Sequence, residues 1–246
     1  MVQISDCYWE IANIGKKTCE VSLGANDCID KSLLDELDSK YEYQVIKVAP
    51  GNIEVNVFLM ENGYFLIENQ IEVEKKYKDF DYDAPLIKYL MPKVSFQELK
   101  TQDEFESIFE QMTPNMFISD RIALDPNFGL DYSYNRYRNW MQTAFKNNSA
   151  SFIQFICDGK PVGFSMYRIK DNAWQGDLGG VYPGCGDGLG LLTPSAPFLY
   201  MKQREIKLSK MVSHISSNNV PVFPPYNYCH FNFKSFTYVF VKHNQI

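Results

Sequence analysis

The most informative part of this 246-residue chain is a glycine-rich stretch, Val181-Tyr182-Pro183-Gly184-Cys185-Gly186-Asp187-Gly188-Leu189-Gly190. It holds four glycines in seven residues and connects a predicted strand, Trp174 to Tyr182, to a predicted helical segment. Glycines at this spacing let backbone N–H groups converge at a helix N-terminus, which favours negative charge. The stretch lacks the Lys-Ser/Thr pair of a P-loop and the G-x-G-x-x-G register of a dinucleotide site. It therefore predicts an anion-binding loop, with a plain flexible connection as the alternative.

A second pattern follows after one predicted helix and one predicted strand, Lys210 to Ser216. It begins at Asn219, and its further members lie three, seven, eleven and twelve residues on, at Val222, Tyr226, His230 and Phe231. The register resembles the C-terminal motif of the GNAT N-acetyltransferases, in which an Asn is followed by a small apolar residue, a Tyr and Gly-Phe. The preceding loop resembles that family's acetyl-CoA loop, Arg/Gln-x-x-Gly-x-Gly, with Cys185, Gly188 and Gly190 in its fixed places.

The resemblance covers about residues 95–246 and is looser at the level of a sub-group. Within the family the chain looks most like the nucleotide-sugar amine acetyltransferases, of the dTDP-fucosamine type. That likeness depends on residues 178–183 and on a scattered set, Asp120-Arg121, Asp125-Pro126, Asn135-Arg136-Tyr137 and Trp140-Met141.

The resemblance implies a role for each matching residue. The strands ending at Val181 and Ser216 would splay apart around the pantetheine arm of acetyl-CoA. A backbone N–H near Val181 would polarise the thioester carbonyl, Tyr226 would protonate the departing thiolate, and Asn219 would orient the pantetheine or a water. The pyrophosphate would lie on the backbone amides of the loop glycines Gly186, Gly188 and Gly190.

The base that accepts the proton of the amine stays open between Asp177 on the central strand and His214 on the facing one. The acceptor is expected to be an amino sugar carried by a nucleotide, with a peptide amine, polyamine or antibiotic as alternatives. Several departures leave open a degenerate module that binds without turnover: Cys185 and His230 replace the usual residues, and Pro194, Pro197, Pro224 and Pro225 fall in predicted helices.

The predicted fold is a mixed, mostly antiparallel α/β GNAT sheet flanked by helices, preceded by a smaller N-terminal α/β unit that resembles a half-GNAT. Residues 78–93 are interpreted as a linker, which sets predicted domains at 1–92 and 93–246. In the first domain, residues 7–12 and 18–23 are predicted strands. A further strand, 64–73, is predicted to close at the charged run Glu74-Lys75-Lys76.

The first domain also repeats the register of the Asn219 motif, and we weigh a pared-down copy of the C-terminal half against chance spacing. The repeated positions are Asn52, Val55, Leu59, Gly63 and Tyr64. Because Leu59 takes the place of Tyr226, no second active site is expected.

Composition sets further limits on function. The net charge of −6 argues against a nucleic-acid partner, and no run of about 18 apolar residues predicts a membrane span. The six cysteines include no C-x-x-C pair, so no metal site is expected. With no recognisable signal segment, we expect a cytoplasmic protein whose partners are acetyl-CoA and a small amine, and we allow for a homodimer.

Overall fold

The computed structural model describes residues 2–186 and 188–244, so Asp187 of the predicted loop lies outside the described residues. Within these ranges ten strands form one sheet: β1 Gln3–Asp6, β2 Thr18–Leu23, β3 Tyr43–Val48, β4 Phe65–Lys76, β5 Val94–Glu98, β6 Ser151–Cys157, β7 Lys160–Lys170, β8 Ala173–Val181, β9 Lys210–Ser216 and β10 Asn232–His243. The helices are α1 Glu10–Ile14, α2 Lys31–Lys40, α3 Ile53–Glu61, α4 Pro85–Leu90, α5 Gln102–Gln111, α6 Arg121–Leu124, α7 Leu130–Lys146, α8 Leu192–Gln203 and α9 Phe223–Tyr228. No helix in the described ranges has the length and apolarity needed to cross a bilayer.

The strand order is β1-β2-β3-β10-β4-β9-β8-β7-β6-β5. In the described sheet, β2 runs parallel to β3 and β8 runs parallel to β9, and the other neighbours are antiparallel. Two units, β2-α2-β3-α3-β4 and β8-α8-β9-α9-β10, therefore have the same order of elements. The last strand of each unit pairs with the other unit, β4 with β9 and β10 with β3.

Helices cover both faces of the sheet, as strand β3 illustrates. Ile46 and Val48 pack with α2 and α3, whereas Val45 points to the opposite face and packs with Ile14 and Ile122. Because both of its faces are covered, β3 is buried at five of its six residues. One sheet passes through both proposed domains, so the strand order does not test the domain boundary at residue 92, which stays a prediction.

Two predictions for the N-terminal region are wrong. Residues 7–12 are not a strand: the chain turns at Cys7, and α1 runs from Glu10 to its left-handed C-cap, Gly15 (φ 70°). Within this helix Glu10 is buried, because arginines from distant helices pair with it.

The charged run does not close β4, which continues to Lys76 because Glu74 pairs with Lys210 and Lys75 donates to the carbonyl of His230 at 3.3 Å. The interpretation of residues 78–93 as a linker is also wrong. It contains α4, whose Ile87 and Leu90 are buried, and the unpredicted strand β5 follows it.

The prolines are accommodated without breaking their helices. Pro224 and Pro225 lie in the first turn of α9, where a missing N–H costs little. In the segment after the glycine loop, a 3-10 turn, Leu189–Leu191, leads directly into α8, which carries Pro197 in its interior.

Candidate active site

A cavity of about 560 Å³ opens where β8 and β9 separate. The two strands pair in parallel only from Ala173 opposite Lys210 to Gly176 opposite Ser213. The Ser213 hydroxyl donates to the carbonyl of Gly176 at 3.0 Å, at the last pair before the separation. Beyond it, β8 continues with β7 alone and β9 with β4 alone. The splay expected between these strands is therefore present.

The outer half of β8 is shaped by glycines that lie close to β7. A Cβ added at Gly179 would lie 2.6 Å from the carbonyl oxygen of Phe164, whereas one added at Gly180 would meet nothing nearer than 3.7 Å. Gly163 on β7 is similarly tight, at 2.4 Å from the oxygen of Gly180. These glycines keep the two backbones in register along the wall of the cavity.

Tyr226 borders the cavity from α9. It is 2% exposed, and its ring lies edge-on to Phe231 with the centroids 4.7 Å apart. Burial raises the pKa of Tyr226 to about 12, although a hydrogen bond with the Ser213 side chain opposes the shift. The phenol is therefore protonated at neutral pH, which is the state that a proton donor needs.

Asn219 and Val181 also line the cavity, on opposite sides of the splay. Asn219 precedes the 3-10 turn Val220–Val222, and its N–H donates to the carbonyl of Ser216 at 3.0 Å. Of the loop glycines, Gly190 lines the cavity, while Gly186 and Gly188 are exposed beside its rim. Gly188 has a left-handed backbone (φ 89°), and a Cβ at any of the three would meet no atom within 4 Å. The rim thus leaves room for a ligand to approach the backbone.

The two bases considered from the sequence both reach the cavity, each with a partner. Asp177 is the extra residue of a β-bulge, because Gly176 and Leu178 pair with consecutive residues of β7. Its carboxylate accepts hydrogen bonds from Arg168 at 2.6 and 2.7 Å. His214 lies 3.7 Å from Glu72 and is more than half exposed.

Glu68 is a further carboxylate in the cavity, and the sequence did not reveal it. It lies on β4, is 4% exposed, and accepts a hydrogen bond from Gln70 at 2.9 Å. Within the described residues no lysine or arginine forms an ion pair with it. Burial raises the pKa of Glu68, the largest cause of its shift, while Gln70 and Arg121 oppose that effect. No local signal could have found this residue, because it reaches the site through the exchange of β4 into the other unit.

The end of the cavity away from the glycine loop is built by α6, α7 and the turn before them. Two arginines of these helices share one buried carboxylate, Glu10. Arg121 donates to it at 2.9 Å, and the Nε of Arg136 donates to its two oxygens at 2.8 and 3.1 Å. The aromatic lining of this end comprises Phe117, Tyr137 and Trp140. Several residues of the sub-group likeness, Asp120-Arg121, Arg136-Tyr137 and Trp140, thus meet at one wall.

Comparison with solved structures defines the class of fold. A functionally unknown conserved protein from Staphylococcus epidermidis ATCC 12228 superposes with a TM-score of 0.63 at 14% identity, over 93% of this chain and 85% of that one. A GCN5-related N-acetyltransferase from Sphaerobacter thermophilus gives 0.56 at 9% identity, over 98% and 76% of the two chains. A tandem GNAT protein from the clavulanic acid biosynthesis pathway gives 0.55 at 13% identity, over 93% and 76%.

No protein-family model matches the sequence, and no curated protein matches it significantly. The structural likeness confirms the predicted fold class: a mixed, mostly antiparallel GNAT sheet flanked by helices, extended by a half-GNAT-like N-terminal unit.

Proposed function

We propose that this protein transfers an acetyl group from acetyl-CoA to a primary amine. The observation that carries the proposal is Tyr226, a buried and protonated phenol at the cavity where β8 and β9 separate. An acid at this place suits the departure of a thiolate, and a groove between splayed strands suits an extended pantetheine arm. The residues that would hold acetyl-CoA are Val181, Gly186, Gly188, Gly190 and Asn219.

The chain's residues would act in sequence. A carboxylate accepts a proton from the acceptor ammonium, and the freed nitrogen forms a bond to the thioester carbon. A backbone N–H near Val181 stabilises the charge that develops on the carbonyl oxygen, which is worth about 3 kcal/mol at comparable sites. As the carbon–sulfur bond breaks, Tyr226 donates its proton to the sulfur. The second proton that the nitrogen loses on becoming an amide restores the Tyr226 phenol by way of solvent.

Two carboxylates are candidates for the base. Asp177, one of the two bases that the sequence left open, has both oxygens occupied by the Arg168 guanidinium. Glu68 has no such ion pair in the described part of the chain and is less exposed to water. We therefore assign the base to Glu68 and keep Asp177 as the alternative.

The sub-group likeness supports an amino sugar of a nucleotide-sugar as the acceptor, since several of the residues that carry it line the end of the cavity built by α6 and α7, here called the acceptor end. A peptide, polyamine or antibiotic amine is the alternative within the same chemistry. The proposal includes a cytoplasmic location, where acetyl-CoA is available. Whether the protein forms a homodimer is a question for measurement of its mass in solution.

The test is calorimetric titration with acetyl-CoA, followed by assay of thiol release with a panel of amines. We expect binding in the micromolar to millimolar range and thiol release that depends on an amine. Binding without turnover on any acceptor would favour a degenerate acyl-CoA-binding module. Cys185 and the interior Pro197, which depart from the family pattern, are compatible with that alternative. No binding at millimolar acetyl-CoA would overturn the proposal.

A further inference from the structure

We propose that the acceptor amine carries an oxyanion, a carboxylate or a phosphate, and that Arg136 binds it. This inference deepens the acetyl-transfer function proposed above and rests on it. It concerns the acceptor end of the cavity, which α6 and α7 build.

The guanidinium of Arg136 is held along one edge and open along another. Glu10 binds its Nε, while neither terminal nitrogen has a hydrogen-bond partner among the described residues. The side chain is 17% exposed and lines the cavity from α7. Two adjacent amino groups in one plane match the two oxygens of a carboxylate or phosphate. Because Glu10 fixes the Nε edge, the open edge is already oriented.

Of the two arginines at this wall, Arg136 is the one that a ligand can reach. Glu10 is the single carboxylate in an ion pair with Arg121 and Arg136 in the described chain. The Arg121 side chain is only 9% exposed, holds Glu10 and also interacts electrostatically with Glu20 and Glu68. Arg136 is the more exposed of the pair, so an incoming anion would meet its guanidinium.

The carboxylate on the sheet side of the cavity is Glu68 of β4. Asp120 lies on the same wall as Arg136, where it caps α6 by accepting from the N–H of Ile122 at 2.8 Å and also accepts a hydrogen bond from the Ser133 hydroxyl. An amine therefore finds the Glu68 carboxylate on the sheet side of the acceptor end and the open guanidinium edge of Arg136 on the helix side. This polarity fits a zwitterion better than a molecule with several ammonium groups.

The inference separates the acceptors that the sequence left open. A polyamine or a polycationic antibiotic would bring a second positive charge toward Arg136 and be repelled. A free amino acid or a phosphorylated amino sugar would place its anion there, and the rings of Phe117, Tyr137 and Trp140 would contact the body of the molecule.

The experiment compares acceptors that differ only in the anion, using the full chain and saturating acetyl-CoA. Suitable pairs are tyrosine against tyramine and glucosamine 6-phosphate against glucosamine, which distinguish a carboxylate from a phosphate. Each pair is assayed with the unchanged protein, with Arg136→Gln and Arg136→Lys, and with Arg138→Gln. Arg138 is an exposed arginine of the same helix that lies over Phe109 and does not line the cavity, which makes it the matched control.

For one pair or both, we expect kcat/KM to favour the anionic member by about 10- to 100-fold, as for a charge-assisted hydrogen bond. Arg136→Gln should remove this preference mainly by raising KM for the anionic member, with KM for acetyl-CoA unchanged. Arg136→Lys should restore part of it, and Arg138→Gln should keep all of it.

Turnover of amines with no preference for the anion would overturn this inference and leave acetyl transfer standing. A preference that survives Arg136→Gln in a folded variant would do the same. If no amine and no acetyl-CoA were bound, the proposed function and this inference would fail together. The comparison of acceptors on the unchanged protein needs no variant, so poor folding of Arg136→Gln cannot hide the result.

Discussion

Asn52 and Asn219 have the same backbone conformation at equivalent places in the two units of the sheet, with φ −88° and ψ 67° at one and φ −87° and ψ 66° at the other. Eleven residues later, Gly63 and His230 both adopt a left-handed backbone. The next residues, Tyr64 and Phe231, donate to the carbonyls of Leu59 and Tyr226 at 3.0 and 3.1 Å.

The two units nevertheless differ where the cavity forms. β2 and β3 stay paired over six residues, from Thr18 opposite Tyr43 to Leu23 opposite Val48. No splay opens between them, and the apolar side chain of Leu59 is fully buried in the position of Tyr226. The described structure thus has one such cleft, although the local conformation is repeated.

The left-handed residue of each motif provides a reciprocal stability test. His230 has φ 52° and is exposed, so His230→Gly should raise the free energy of unfolding by about 0.5–1 kcal/mol through relief of backbone strain. Gly63→Ala, at φ 84°, should lower it by about 1 kcal/mol. Urea denaturation measures both. Changes of the same sign in the two variants would contradict the shared conformation.

Replacement of Tyr226 by Phe should lower kcat by about 10²- to 10⁴-fold, because it removes the proposed proton donor while keeping the ring contact with Phe231. Calorimetry should show acetyl-CoA affinity close to that of the unchanged protein. Tyr228→Phe, on the same helix, is the control: its hydroxyl accepts from the N–H of Leu86 at 2.9 Å outside the cavity. Equal rates in both variants would remove Tyr226 from the mechanism.

Glu68→Gln should lower kcat/KM by about 10²- to 10⁴-fold and abolish its rise with pH on the acid side. The raised pKa of Glu68 places that rise above the ordinary range of a glutamate. Asp177→Asn should lower activity less and keep the pH profile, since Arg168 already binds that carboxylate. The opposite pattern would assign the base to Asp177.

Stability gives an independent check on the same variant. A raised pKa means that the folded chain holds the proton more tightly than the unfolded chain, so the ionised Glu68 destabilises the fold. Above the folded pKa, Glu68→Gln should therefore melt at a higher temperature than the unchanged protein. Below pH 4.5, the ordinary value for this side chain, the difference should vanish.

Acetyl-CoA should protect Cys185 of the glycine loop from alkylation, by about tenfold at a concentration ten times Kd. Exposed Cys28, far along the chain from this loop, should react at the same rate with and without acetyl-CoA and is the control. Burial raises the pKa of Cys229 and of Cys19 to about 12, so neither should react in the folded protein at pH 8. Mass spectrometry of iodoacetamide-treated protein measures all four thiols. Unprotected Cys185 at saturating acetyl-CoA would place the pyrophosphate elsewhere.

The wall of the cleft can be tested with two neighbouring glycines. Gly179→Ala should destabilise the fold by about 1–3 kcal/mol, because its Cβ would lie 2.6 Å from the backbone oxygen of Phe164. Gly180→Ala should cost less than about 1 kcal/mol, since its nearest neighbour is the flexible end of Met116 at 3.7 Å. Equal losses on chemical denaturation would show that close β7–β8 contact does not constrain Gly179.

Local sequence patterns were enough to indicate several elements and the motif residues. The predicted limits of β9, Lys210 to Ser216, match the structure, and the register that gave Asn219 and Tyr226 leads to two residues that line the cleft. The spacing of Thr101 and Glu104 is likewise local, and the two residues form a capping box at the start of α5. These features depend on residues a few positions apart, so periodicity and capping reveal them.

Long-range packing fixes the exchange of strands between the two units and the composition of the acceptor end of the cavity. Side-chain alternation fixes which face of β4 is buried but not which strand pairs with it, because antiparallel partners can come from any distance along the chain. The pairing of β4 with β9 brings Glu68 to the cavity, and the packing of α1 on α7 brings Glu10 to Arg136, 126 residues away. Charged residues buried by partners so distant leave no local pattern, which is why the sequence indicated α1 as a strand and Glu68 as part of a separate domain.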